Sequence, residues 1–254
     1  MTLAIAVALG LFSRRTLQLL AMLRLGKPEK RWDNLGARVG RELRVVWSQQ
    51  KLLQWPFPGI MHTFIFWGFV VLFTTIIEAF GKAYSSSFAL PVVGHWGPLA
   101  AIQDTFAGLV LVGIAMAFYI RKVLRPGRFR GSHLKEADQI LIAISGIMVT
   151  VIGLRATEIA VGHFPYPRAA AFISSFVAAH LFDGLAHGSQ EVWNGGFVWA
   201  HSLLVLAFLV YLGYSKHLHI ITAPFNVFFS STVSRPRGAL KRVDVDFEEM
   251  GDDD

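Results

Sequence analysis

Four apolar runs, each long enough to cross a membrane, constrain this 254-residue chain more than any other feature. A hydrocarbon core about 30 Å thick takes roughly 20 helical residues. The runs from Ile60 to about Phe80, Leu99 to Ile120, Gln139 to Ala160 and Phe197 to about Leu218 all reach that length. Composition agrees: 54% hydrophobic residues, 21 Phe and only 16% charged residues are too apolar for a water-soluble domain. A fifth, weaker span covers Leu3 to Leu23. Its apolar part ends near Phe12, and Arg14 and Arg15 are expected to snorkel to headgroups while the helix continues inward. A signal peptide would carry its positive charge before the apolar run, not after it. Asp104 opens the third span in chain order, at an interface where a short acid still reaches water.

The basic residues settle the expected orientation, because loops rich in Lys and Arg stay cytoplasmic. Eight lie between Arg24 and Lys51, six between Arg121 and Lys135, and five from Lys216 onward. Only Lys82 lies in the loop from Gly81 to Ala100, and only Arg168 in the loop from Val161 to Gly196. The fold class expected is therefore all-α, an integral membrane bundle of five transmembrane helices with the N-terminus outside and the C-terminus cytoplasmic. The net charge of +7 belongs to those loops, so nucleic acid is not an expected partner and membrane lipid is. With no Cys in the chain, disulfides, thiolate zinc sites, thiol catalysis and cysteine-held iron–sulfur clusters are excluded within it.

In the first basic loop Leu35, Val39, Leu43 and Val46 recur at helical spacing while Arg38, Arg41 and Arg44 face elsewhere. That pattern predicts an amphipathic helix on the inner leaflet, or a docking surface of the same shape. Pro56 and Pro58 mark the start of the next span, and Pro224 is expected to stop the last helix soon after it emerges. Residues 1–229 form the membrane domain. The polar segment 230–254, basic at Arg235 to Arg242 and acidic toward Asp254, reads as a cytoplasmic tail or linker.

Histidines on the spans carry the functional signal, since an ionisable group inside the bilayer is costly and calls for a partner. His62 lies near the inner start of its span. His201 is expected near the outer start of the last span and His219 near its inner end. On one continuous helix their eighteen-residue separation is five whole turns and about 27 Å, so both imidazoles would share a face. His217 would then point nearly the opposite way. His62 and His219 match in depth on different helices, the arrangement a six-coordinate b-type haem needs. Taken singly, each is as well explained as an interfacial polar residue.

These residues resemble a known family. Trp199-Ala-His201 through Tyr214-Ser-Lys216-His-Leu-His219-Ile-Ile-Thr-Ala-Pro224 is similar to the last span of the gamma subunit of respiratory nitrate reductase, a dihaem cytochrome b that exchanges electrons with quinol. Ala137-Asp138-Gln-Ile-Leu-Ile resembles the start of that subunit's fourth span. Pro58-Gly-Ile-Met-His62 through Trp67-Gly68-Phe69 to Glu78-Ala-Phe80-Gly81, and the loop Leu90-Pro-Val-Val-Gly-His-Trp-Gly-Pro98, are closer to a sister group. That group is the membrane domain of heterodisulfide-reductase-like iron–sulfur oxidoreductases, including membrane dehydrogenases fed by electron-transfer flavoprotein. The resemblance runs from about Arg24 to Phe229. It implies a haem b nearer the cytoplasm held by His62 and His219, with His201 supplying one ligand of a second haem. The other ligand of that second haem falls at Leu72, which cannot bind iron. His180 or His187 could fold back to replace it, or His201 could serve alone, or one haem is bound; the two loop histidines read best as surface residues. The sister group also continues into a cytoplasmic iron–sulfur reductase module, so the resemblance implies such a partner, with electron-transfer flavoprotein upstream.

Glu78, Arg155 and Glu158 cluster near the outer ends of their spans, with Lys82 close behind. They are either a buried ion-pair group or a catalytic one, with Glu78 relaying protons for quinone chemistry and Arg155 holding a haem propionate. Glu78 lies about 160° around its helix from His62, off the haem face. The expected function is that of a haem b subunit in a bacterial cytoplasmic membrane. It would pass electrons between the quinone pool and a cytoplasmic iron–sulfur protein, in the direction of quinone. A haem-free anchor for a soluble oxidoreductase is the main rival. A transporter would place polar groups at mid-membrane, where these spans offer chiefly Gly and Thr.

Overall fold

A computed structural model describes residues 1–27, 29–85, 87–127 and 134–231, with Leu134 by its backbone alone. The expected linker is outside the described residues beyond Ser231. Among the described residues there is no strand, and five helices are long and apolar enough to span a membrane. They are α1 (Thr2–Leu23), α4 (Pro56–Lys82), α5 (Gly97–Tyr119), α6 (Leu134–Val161) and α8 (His187–Leu212). Shorter helices α2 (Leu35–Glu42), α3 (Gln50–Leu53), α7 (Phe172–Val177) and α9 (His219–Phe228) lie between or after them.

The core sits where α4, α5 and α6 meet. Leu72, Val110, Ile114, Met148 and Val151 bury one another there. Close approach of α4 to α5 depends on Gly68, where a Cβ would stand 2.0 Å from Val110 Cγ2. Outward-facing Phe73, Ile77, Val112, Val149 and Leu203 stay exposed, as side chains solvated by lipid do. Peripheral α1 buries only Ala8 and packs along α8. Arg15 Nε donates to the Gly213 carbonyl at 3.1 Å, so the arginine pair comes level with the end of α8 that the basic loops share. That basic end is called inner below.

Three expectations change. The last span is α8, starting at His187 instead of Phe197 and stopping at Leu212. Its polar first turns are satisfied locally: Gln190 Nε2 donates to the Phe182 carbonyl at 3.0 Å and Asn194 Nδ2 to Thr157 Oγ1 at 3.2 Å. Pro224 does not stop a helix but lies inside α9, which begins afresh at His219 after a 3₁₀ turn over Lys216–Leu218. Asp104 reaches no water. It is fully buried and accepts from Ile173 N (2.5 Å) and Ser174 Oγ (2.5 Å) as α7 folds back over it.

On the inner face, the amphipathic segment shows Leu35, Val39 and Leu43 outward, where lipid would meet them. A π turn over Leu43–Trp47 rotates Val46 inward. Arg38, expected on the polar face, is instead buried against α9. It donates to the carbonyls of Phe228 (2.9 Å), Ser230 (2.8 Å) and Asp33 (2.7 Å). Arg31 takes the Phe229 carbonyl at 3.0 Å. Cations at a helix C-terminus meet its unpaired carbonyls and the negative end of its dipole.

Candidate functional site

A cavity of about 640 Å³ runs between α4, α6, α8 and α9. Its walls are apolar, with Phe66, Phe69, Leu72, Leu141, Met148 and Phe208 among them, and four imidazoles line it: His62, His201, His217 and His219. Size and lining suit a small organic group.

Three of the four are held in one protonation pattern. His62 Nδ1 meets Gln49 Oε1 at 2.9 Å, while the amide nitrogen of Gln49 donates to the Val46 carbonyl. His219 Nδ1 meets the Lys216 carbonyl at 3.0 Å. Both acceptors are oxygens without a proton, so each Nδ1 carries the hydrogen and each Nε2 keeps a free lone pair. His201 Nδ1 is 3.0 Å from Thr150 Oγ1, whose single proton goes to the Gly146 (2.8 Å) or Ile147 (3.0 Å) carbonyl. The hydroxyl oxygen therefore accepts from Nδ1, and His201 Nε2, buried and without a hydrogen-bond partner, is likewise a bare donor atom. Gln49 reaches its place at a cost: it is buried with φ of 54°, a backbone state uncommon for a residue with a Cβ and one that clusters at functional sites.

His62 and His219 face one another with ring centroids 6.3 Å apart and planes at 41°. Two imidazoles bonded at about 2 Å to opposite sides of one metal ion place their centroids about 6 Å apart. Among the described residues no group of three or more His, Asp and Glu side chains is arranged to hold a bare metal ion. A macrocycle that brings its own equatorial donors needs only two from the protein.

His201 and His219 share the cavity for a reason other than the one expected. They are not on one helix. The turn between α8 and α9 resets the phase, which also swings His217 inward, edge-on to His219 at 5.3 Å, instead of to the opposite side. Burial first, then neighbouring His219, push His217 down to about 4, so it is neutral near pH 7. His201 lies fourteen residues into α8, deeper than its expected outer position, and Leu72 lines the same cavity. His180 and His187 are exposed. The first bonds the Phe176 carbonyl at 2.8 Å and the second sits beside Glu191, so neither closes over His201.

Glu78 and Arg155 come together, but not on the cavity wall. Arg155 directs its terminal nitrogens to Gln103 Oε1 (2.7 Å) and the Ala100 carbonyl (3.2 Å). Glu78 accepts a hydrogen bond from the Tyr166 hydroxyl. Lys82 pairs with Glu158 at 2.6 Å. Gln49, Thr150, Gln103 and Tyr166 escaped the sequence reading; their only signal is polarity beside an apolar span.

Fold and cavity together describe a membrane-spanning helical bundle with an internal, largely apolar cavity lined by four histidines. No family model matches the chain, and no solved structure matches it. It is 29% identical over 255 aligned positions to the "Probable iron-sulfur-binding oxidoreductase FadF" of Bacillus subtilis, covering 94% of this chain and 33% of that protein. It is 24% identical over 208 positions to the "EtfAB:quinone oxidoreductase" of Syntrophomonas wolfei, covering 78% of this chain and 28% of that one. The chain thus spans about a third of the length of the curated relatives it matches. These matches lie on the iron–sulfur oxidoreductase side of the resemblance, and the narrower likeness to the nitrate reductase subunit rests on its residues alone.

Proposed function

We propose that this chain is a b-type haem domain of a multi-pass cytoplasmic-membrane oxidoreductase, passing electrons between the quinone pool and an iron–sulfur protein on the inner face. The observation that carries this reading is the facing pair His62 and His219, each with Nδ1 anchored and Nε2 bare, at a separation that fits one metal ion between them. The two similar proteins, whose names speak of iron–sulfur binding and of quinone, support the partner and the substrate. Electron-transfer flavoprotein would then act upstream, and flow would run toward quinone.

Haem b would supply a one-electron iron couple at this position. The residues do the rest. His62 and His219 would hold the group through their Nε2 nitrogens, and Gln49 and the Lys216 carbonyl keep each ring in the tautomer that leaves Nε2 bare. Phe66, Leu141 and Phe208 would keep water away, and Lys51, which also lines the cavity, would offer positive charge to the group's carboxylates. His201 is a single donor in a cavity that Leu72 also lines, so it would offer a second haem one ligand, or none would bind there.

Pyridine haemochrome analysis of the purified chain is the test. One haem b per chain is the expected result, and two would assign the second to His201. His219→Ala and His62→Ala should each lose the reduced b-type absorbance, whereas His217→Phe should keep it. Zero haem, or equal tolerance of all three changes, would overturn the reading in favour of an anchor for a soluble oxidoreductase.

A further inference from the structure

Outward of the cavity, under the loop 162–171, lies a second polar group that the haem reading does not use. It comprises Glu78 and Lys82 of α4, Gln103 and Asp104 of α5, Arg155 and Glu158 of α6, and Tyr166. All seven side chains are at most 5% exposed. Three are carboxyls and two are cations.

Each cation is committed. Lys82 Nζ holds Glu158 Oε2 at 2.6 Å. Arg155 Nε, buried and without a hydrogen-bond partner, stands 3.8 Å from Asp104 Oδ1, and Asp104 is further supported by Ile173 N and Ser174 Oγ. The remaining carboxyl is Glu78, whose partner is a neutral phenol. Burial and that hydrogen bond push the Tyr166 phenol well above its ordinary range, so it stays an O–H donor. With all three carboxyls ionised the cluster would carry one surplus negative charge away from water, which is costly, and buried acid clusters escape that cost by keeping a proton.

We propose that this cluster is a proton store: its three carboxyls, set against two cations, hold one dissociable proton, and Tyr166, bonded to Glu78, connects it to the outer face. The stored species is a carboxylic acid that gives up H⁺ to become a carboxylate and takes one back, with no electron moved. Two features suit it to that work. Thr75, one turn inward of Glu78 on the same side of α4, lines the cavity. On the other side Tyr166 follows Pro165, whose carbonyl accepts from exposed His95 at 2.8 Å. A quinone takes up two protons with two electrons as it becomes a quinol, so a store at this depth would serve the substrate proposed above, and to that extent the inference rests on that reading.

Infrared spectroscopy of the full chain in H₂O and D₂O decides it. Expected at neutral pH is a protonated-carboxyl C=O band that shifts on deuteration and is lost in Glu78→Gln, with the fold retained by circular dichroism. A wild type without that band, or the same band in Glu78→Gln, would overturn the proposal. Tyr166→Phe should keep the band and slow its deuterium shift at least severalfold; an unchanged rate would overturn the role of Tyr166. Haem content should be equal in Glu78→Gln and wild type, because Glu78 is off the cavity wall. A failed infrared test therefore leaves the haem reading standing, and loss of haem in His219→Ala leaves the proton store standing.

Discussion

Gln49 shows how much the placement of His62 depends on a residue that is not itself one of the histidines of the cavity. It accepts the His62 Nδ1 hydrogen from a left-handed backbone state, and its own amide nitrogen is tied to Val46. Replacing such a supporting acceptor usually costs 10–100-fold in metal affinity. Gln49→Leu is therefore expected to weaken haem retention by roughly that factor, measured as haem loss to apomyoglobin, while Gln49→Glu retains it. Equal retention in Gln49→Leu and wild type would show that His62 needs no orienting partner. That His62 and His219 come together was legible in the sequence, because depth along a span follows from counting residues. It was silent about Gln49, since no propensity signals a glutamine at φ of 54°. It also misdirected His217, because the 100° rule holds only while one helix continues, and the chain turns between Leu212 and His219.

At the scale of elements, length and hydropathy located α4, α5 and α6 to within a few residues, because an uninterrupted apolar run has no other way to satisfy its backbone in lipid. They failed at the start of α8. Gln190 and Asn194 look like loop residues in the sequence and become helical only because Phe182 and Thr157 offer partners. The same dependence on neighbours appears where α4 crosses α5. A side chain at position 68 would collide with Val110, and overpacking of this kind costs about 1–3 kcal/mol. Gly68→Ala should lower the midpoint of thermal unfolding in detergent, and Val110→Ala in the same chain should recover part of the loss. If the double variant is no better than Gly68→Ala alone, the strain lies elsewhere.

For the whole molecule the alternating directions of the five spans put Met1 on the same side as the loops 83–96 and 162–171, where Thr2 meets Tyr84 at 2.9 Å. The basic segments share the other side. The absence of cysteine makes sidedness simple to measure, since a single introduced thiol is the only one that reacts. Ser85→Cys should react with a membrane-impermeant maleimide added to intact cells, and Lys27→Cys only after the membrane is opened. The reverse pattern would invert the bundle and place His62 and His219 near the outer surface, against the inner-face partner of the proposed function.

The guanidinium groups of Arg31 and Arg38 close on the last carbonyls of α9, and His219 stands at that helix's first turn. Whatever pulls on the polypeptide after Ser231 meets this grip first. It works as strain relief does on a cable: a tug on the chain beyond this point would be taken up by the two arginines before it reached the imidazole that the proposed function makes an iron ligand.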